Sequence, residues 1–333
     1  MLKPLKIAFV RLTAMGDIIH SASILPLLHQ TLSQHYQPTF HWYVDLEFQE
    51  ILQDSPYINK LIALPLKKSL KNKNFKALYA IYQTLRLESY DIVIDLQGLL
   101  KSAIIGKFLV SKQYIGFSFK SAKESLASLF YNKTIQIPYQ EHILLRNATL
   151  AFSAFNLPIP DIQTLLNPKS FLGFNPNLAP KLNQNSAKIL LVLETSKPNK
   201  TYPQHLFLEL TKLFNTANLS PILLSHKSTI THSTLNFQSF SNLSLNAIKA
   251  LVAQMDLVIG GDTGITHLAW ALKRPSITLF GATPPSRFSL QTKQNCYLMA
   301  NPNANYDKQD FSIQKISPKE IFDLAITLLK GKI

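Results

Sequence analysis

Cysteine is almost absent from this 333-residue chain: Cys296 stands alone. One thiol closes no internal disulfide and builds no multi-cysteine metal site, and it fits a reducing, cytosolic setting. Glycine is scarce too, at ten residues, and neither G-x-G-x-x-G nor a Walker A sequence occurs. The two commonest glycine-rich phosphate cradles are therefore missing. No D-x-D pair is present, so a metal–diphosphate site built on that motif is not expected. The nine histidines show no H-E-x-x-H or similar ligand spacing, and no G-x-S-x-G elbow marks a hydrolase. Charged residues are only 16% against 46% hydrophobic, which excludes a disordered polyelectrolyte. Apolar runs stay short of the roughly 18 residues that a membrane-spanning helix needs. The opening Met1–Ile7 runs straight into a strand-like segment, without a long apolar region and a small-residue cleavage site, so no signal peptide is expected.

The charge that is present is one-sided. Thirty-four Lys and Arg against nineteen Asp and Glu give a formal net charge of +15. Such a surface attracts polyanions: nucleic acid, an anionic membrane or phosphorylated substrates. A compositional bias toward Lys and Asn would give the same excess with no partner, so charge alone does not choose. Arginine is sparse and no nucleic-acid motif stands out, which weighs against a nucleic-acid-binding role.

The length calls for about two domains of 150–170 residues. Strand-like runs at 5–12, 39–44, 60–64 and 91–96 alternate with helical spacing over 18–32, 75–87 and 99–109. Pro26 is expected to kink the first of these helices. Residues 156–185 change character, with five prolines and many Asn, and read as interdomain chain. Alternation then restarts, with strands at 188–194, 221–224, 256–260 and 276–280 and helices at 203–214, 245–254 and 265–272. A last helix opens on the capping box Ser317-Pro318-Lys319-Glu320. The expected division is 1–160, a linker at 161–186, and 187–333, with the last helix packing back on the first domain. Apolar strands alternating with helices mean parallel sheets covered on both faces. The fold class is therefore α/β. Two Rossmann-like domains facing a central cleft, without a dinucleotide fingerprint, suggest by fold analogy a glycosyltransferase of the GT-B type.

Ligands in such sheets gather at the carboxyl ends of the strands. There the most informative stretch is Gly260-Gly261-Asp262-Thr263-Gly264-Ile265-Thr266-His267, a strand end that opens a helix. Backbone amides and the helix start favour an anion, and Asp262 can bind hydroxyls while Thr263 and Gly264 approach phosphate. The plainer reading is a capped helix start, with Asp262 or Thr263 as N-cap and His267 packed. Thr195-Ser196-Lys197-Pro198-Asn199-Lys200-Thr201-Tyr202-Pro203 follows the first strand of the second half, and Lys200 can neutralise a leaving phosphate. The alternative is a solvated loop. Asp17, after the first strand of the chain, can take a proton from a hydroxyl or serve as an ordinary N-cap, with His20 one turn on as a partner or a packed side chain. The basic run Lys67, Lys68 and Lys71, with Lys123 further on among aromatics, can hold a phosphorylated or carboxylated ligand or simply form a solvated face.

Together these motifs resemble a family. Arg11-Leu12-Thr13-Ala14-Met15-Gly16-Asp17-Ile18-Ile19-His20 is similar to the N-terminal signature of the lipopolysaccharide heptosyltransferases, glycosyltransferase family 9. Gly261-Asp262-Thr263-Gly264-Ile265-Thr266-His267-Leu268 resembles their C-terminal signature, and Lys200-Thr201-Tyr202-Pro203 their Lys-x-aromatic-Pro element. Three further stretches, 90–103, 123–132 and Glu141-His142, resemble the heptosyltransferase I branch. The resemblance spans about residues 5–280.

It implies an enzyme with a GT-B fold and an ADP-L-glycero-D-manno-heptose donor. It further implies inverting transfer to Kdo of Kdo-lipid A in the lipopolysaccharide inner core, without a metal or other cofactor. The first domain would bind acceptor and the second donor, on the cytoplasmic face of the inner membrane as a peripheral protein. A heptosyltransferase II or another member acting on a later core acceptor is the alternative. By motif match Asp17 is the base and Lys200 meets the donor diphosphate. Thr195, Ser196, Leu243, Asp262, Thr263, Gly264 and His267 line the donor site, and Lys67, Lys68, Lys71 and Lys123 the acceptor site. Domain closure is expected to exclude water. Three features depart from the family. Lysines stand at 67, 68 and 123 where arginines are usual, giving charge without the bidentate fork. Leu243 replaces a methionine. Ser225-His226-Lys227 stands where the family carries an acidic donor contact.

Overall fold

The computed structural model describes residues 2–183 and 187–330 and divides into two units, 1–173 and 174–333. Unit 1 contains β1 (Lys3–Val10), α1 (Met15–Ala22), α2 (Leu25–Leu32), β2 (Tyr36–Asp45), α3 (Gln49–Leu52), β3 (Lys60–Leu64), α4 (Leu66–Lys71) and α5 (Phe75–Leu85). It continues with β4 (Ser89–Asp95), α6 (Leu100–Phe108), β5 (Val110–Phe117), β6 (Lys133–Ile135), α7 (Ile143–Ser153) and α8 (Ile162–Leu166). Unit 2 contains β7 (Ile189–Val192), α9 (Gln204–Thr216), β8 (Ile222–Ser225), β9 (Gln238–Ser241), α10 (Leu245–Ala253) and β10 (Leu257–Gly261). It ends with α11 (Gly264–Ala271), β11 (Ser276–Phe280), α12 (Pro285–Phe288), β12 (Asn295–Met299) and α13 (Pro318–Leu329).

Each unit is a six-stranded sheet with every described pairing parallel, in the orders β3-β2-β1-β4-β5-β6 and β12-β11-β10-β7-β8-β9. Counted within its own unit, each follows the doubly wound order 3-2-1-4-5-6. The central strands are buried from both sides, which is why 189–192 and 257–261 read as unbroken apolar runs. The order reverses between β1 and β4 in unit 1 and between β7 and β10 in unit 2. At those two points the following loops diverge and leave a crevice at the strand ends.

Local chemistry accounts for the helix starts that were legible. The Asn74 side chain accepts from Ala77 N (3.0 Å) at α5, and Ser317 accepts from Glu320 N (3.1 Å) at α13 with Pro318 in the first turn. Pro26 does more than kink: the chain breaks at Ser23-Ile24 and α2 restarts with proline in its first turn.

Two expectations are corrected. The segment 161–173 is no linker: Asp161 caps α8, and Leu165, Leu166, Phe171 and Leu172 are buried in unit 1. Pro168, just past the end of α8, stops that short helix without freeing the chain. Of the rest of that expected linker, 184–186 lie outside the described residues. The last helix stays in unit 2, where Ile321, Ala325 and Leu329 join Phe207, Leu210 and Phe214 of α9 in one core. Four strands went unread: β6, β9 and β12 are short, half-exposed edge strands, while β5, paired on both sides, is largely exposed over its first half, so none carries the continuous apolar signature.

The α9–α13 contact yields a test. Phe214 is fully buried and its ring lies 5.4 Å from that of Phe322 on α13. Phe214→Ala is expected to cost about 3–5 kcal/mol, read as a lower urea midpoint for unit 2.

Candidate functional site

In unit 1 the chain leaving β1 carries Arg11, buried to 7% exposure. Its guanidinium donates to Leu96 O beyond β4 and forms an ion pair with Asp17 Oδ2 at 2.9 Å. Asp17 lies inside the first turn of α1, after the Ala14 N-cap, so the N-cap reading does not hold. Its side chain is 38% exposed and can meet a ligand while a buried arginine fixes its orientation. His20 is buried on the packed side of α1.

Asp95, at the end of β4, is fully buried. It accepts from Gln97 N, Tyr131 Oη and Ser102 Oγ, each at 2.8 Å, and from Gly98 N at 3.2 Å. Burial pushes its carboxyl upward against the pull of those four donors. The loop that Asp95 organises reaches across to the Leu12-Thr13 loop that leads into α1 and Asp17. Gln97 accepts from Leu12 N (2.7 Å) and donates to Thr13 Oγ1 (3.2 Å), and Lys101 Nζ donates to the same hydroxyl (3.0 Å). Burial, with the charges of Arg11 and Lys123, holds Lys101 below the usual amine range, while Asp45 and Glu124 oppose. Sequence reasoning missed roles for Arg11, Gln97 and Lys101. The signal available was their place within the two motif stretches.

The basic candidates divide. Lys123 is exposed, in a segment tied to the β4–α6 loop by Glu124 N to Gly98 O (3.1 Å) and Leu100 N to Glu124 Oε2 (2.6 Å). Lys67, Lys68 and Lys71 lie on α4, anchored at the end of β2 by Lys67 N to Asp45 Oδ2 (3.1 Å). Lys67 pairs with Glu47 at 2.7 Å, and that hydrogen bond raises its amine, whereas Lys68 and Lys71 are exposed. All four lie at the carboxyl edge of the sheet.

In unit 2 the corresponding reversal brings the ends of β7 and β10 together. Asp262 is nearly buried and holds Lys200 Nζ on one oxygen and His267 Nε2 on the other, the latter at 3.1 Å. Burial alone would raise its carboxyl. The hydrogen bond from His267 and the charge of Lys200 win and hold it well below the usual carboxylate range. Gly261 makes this possible: a Cβ there would meet Lys200 O at 2.2 Å and Thr195 Cγ2 at 2.9 Å. Thr263 is the N-cap of α11 and Gly264 its first residue. Thr266 Oγ1 accepts from Thr263 N (3.4 Å) and donates to Thr263 O (2.8 Å). Thr195 spends its hydroxyl within its loop, 3.0 Å from Thr201 Oγ1 and 2.8 Å from Lys197 O. Ser196 is exposed. Leu243 lies half-buried in the loop after β9, at the same carboxyl edge of the sheet and two strands beyond β7.

Glu194, unread in the sequence, follows β7 and accepts from Ser225 Oγ (3.3 Å) and His226 N. A carboxylate therefore does stand beside the Ser225-His226-Lys227 segment, supplied by the neighbouring strand. Only the sheet pairing of β7 with β8 reveals it. Among the described residues, no group of three or more His, Cys, Asp or Glu is arranged to hold a metal ion. In unit 2, a lysine fixed by a carboxylate beside a helix start suits an anionic phosphate group. In unit 1, a fixed, half-exposed carboxylate beside cations suits proton removal from an anionic ligand.

The family model described as glycosyltransferase family 9 (heptosyltransferase) matches residues 78–319. The chain is 34% identical to lipopolysaccharide heptosyltransferase 1 of Campylobacter coli over 345 residues, covering 96% of this chain and 98% of that protein. It is 24% identical to lipooligosaccharide heptosyltransferase 2 of Haemophilus ducreyi, covering 87% of each. In fold it is similar to the E. coli heptosyltransferase WaaC solved with ADP, with TM-score 0.80, 22% identity, and 97% and 100% of the two chains covered. The same enzyme solved with ADP-2-deoxy-2-fluoro heptose gives TM-score 0.76, covering 97% of this chain and 99% of that one.

Asp262 gives the test of the unit 2 cluster. Asp262→Asn leaves Lys200 without its counter-charge and is expected to cost roughly 3 kcal/mol at neutral pH. A carboxyl depressed in the fold stabilises it above the unfolded value of about 4, and that contribution fades as pH falls further. Urea midpoints below pH 4 should therefore fall more steeply for the parent protein than for Asp262→Asn.

Proposed function

The chain belongs to glycosyltransferase family 9, the heptosyltransferases, and we propose that it transfers L-glycero-D-manno-heptose from ADP-heptose to Kdo of Kdo-lipid A. The observation that carries this reading is the near end-to-end likeness to a lipopolysaccharide heptosyltransferase 1. The Lys200–Asp262–His267 cluster at the start of α11 supports the donor half, since it suits a nucleotide diphosphate. A heptosyltransferase acting on a later acceptor is the second reading, disfavoured by the lower identity to a heptosyltransferase 2.

In the proposed reaction Asp17 takes the proton of a Kdo hydroxyl as that oxygen attacks the anomeric carbon of heptose. The anomeric C–O bond to the diphosphate breaks on the opposite face, its electron pair leaves with ADP, and configuration inverts. Arg11 holds the Asp17 carboxylate in place. Lys200 and the amides at Thr263 and Gly264 meet the charge growing on the diphosphate, a role that metal ions fill in other transferases. Asp262 positions Lys200 by their ion pair. Thr195 and Ser196 border the diphosphate. Glu194 is suited to sugar hydroxyls of the donor. Lys123 and Lys101 receive carboxylates or phosphates of the acceptor, with Lys67, Lys68 and Lys71 farther out along the same edge. We place the enzyme on the cytoplasmic face of the inner membrane, where a lipid-linked acceptor and a soluble donor meet.

Purified protein with ADP-heptose, Kdo-lipid A and EDTA is expected to add one heptose, read by mass spectrometry. No product with the donor still bound in calorimetry would move the acceptor to a later glycoform. Asp17→Ala is expected to cut turnover by about 10²–10⁴-fold with donor binding intact. Lys200→Ala is expected to lose about 10²–10³-fold. Near-parental turnover of Asp17→Ala would overturn the base assignment.

A further inference from the structure

We propose that unit 1 docks on an anionic lipid surface through the exposed aromatic face of α5 and the lysines around it. The inference gives a place on the molecule to the membrane attachment proposed above, but its observations stand apart from the heptose reading.

The helix α5 has two apolar sides. Ile81 and Leu85 face inward and join the core of unit 1. Phe75, Tyr79 and Tyr82, at i, i+4 and i+7, share another face and are 79%, 62% and 41% exposed. The patch continues onto the next helix, where the Phe108 ring stands edge-on to Tyr82 at 5.3 Å. Leu87, just past α5, is 77% exposed. Single exposed apolar residues mean little, but a contiguous group of large ones on one fixed face marks an interaction site.

The charge around the patch says what covers it. From Leu66 to Leu87 the chain carries Lys67, Lys68, Lys71, Lys73, Lys76 and Arg86 and no acidic residue. Among the described residues only Lys67 of these forms an ion pair. Lys107, on the helix that bears Phe108, is exposed as well. Tyrosine and phenylalanine seat at a lipid headgroup boundary, with apolar rings inward and the phenol at the water. Lysines beside them are drawn to anionic lipid. A second copy of this chain fits less well, because a two-fold contact would set the same lysines against each other. No described helix is long and apolar enough to cross a membrane.

The test is co-sedimentation of the full chain with vesicles of phosphatidylethanolamine and phosphatidylglycerol, against vesicles of phosphatidylcholine, with no donor or acceptor present. Binding is expected to the anionic vesicles only. The triple variant Phe75→Ser, Tyr79→Ser, Tyr82→Ser and the double variant Lys73→Glu, Lys76→Glu should each weaken it by about tenfold or more. Both should keep the parental circular dichroism and the parental turnover on a deacylated, water-soluble acceptor. Parental vesicle binding by both folded variants, or equal binding to neutral vesicles, would overturn the proposal. So would a lipid-free dimer that the triple variant dissolves, since the face would then be an interface between copies. Loss of transfer with vesicle binding intact would count against the heptose reading alone.

Discussion

The architecture depends on strand order. A doubly wound parallel sheet reverses direction once, and at that point the loops on either side part and leave backbone and side chains facing a ligand. This chain does it twice, and each time it sets an aspartate at the end of the fourth strand of the unit. Asp95 and Asp262 have almost no access to water, so each must be satisfied by the loops around it. Their solutions differ. Asp95 gathers four neutral donors and becomes a structural post. Asp262 gathers a lysine and a histidine and stays ionised, so the charge it needs is the charge that a diphosphate needs.

That difference distributes the chemistry. In unit 1 the post orders Gln97 and Ser102, and Gln97 with Lys101 ties down Thr13 in the loop that leads into the helix bearing Asp17. The carboxylate proposed to move the proton is thus held from two sides, by Arg11 directly and by the Asp95 network through Thr13. In unit 2 Gly261 lets the Lys200 backbone come close enough for its side chain to reach Asp262. A site that relies on lysine and helix amides for its positive charge has to hold that lysine firmly, and a nearly buried carboxylate does so.

Legibility followed burial and locality. Gly261 to His267 and Arg11 to Asp17 are contiguous stretches at strand ends, and both lie at the reversal points. The helix at 317–329 announced itself by its capping box, because a cap is a contact between residues three apart. The outer strands β6 and β9 did not, since three or four half-buried residues carry no periodicity to read. Prolines at 158–180 looked like open linker, although Leu165, Leu166 and Phe171 were there to be buried. Glu194 was invisible as a partner of Ser225 because 31 residues separate them and only the pairing of β7 with β8 joins them.

By itself the sequence determined the class of fold, the parallel sheets, the two phosphate-suited and base-suited motifs and the excess of positive charge, all of which are properties of composition or of neighbours along the chain. Only the tertiary structure decided which charges neutralise one another, that Lys200 serves Asp262 and Arg11 serves Asp17. It also decided which side of α5 is left without a core to cover it and where the last helix packs. Those outcomes turn on distances between residues far apart in the chain, and such distances are set by strand order and packing.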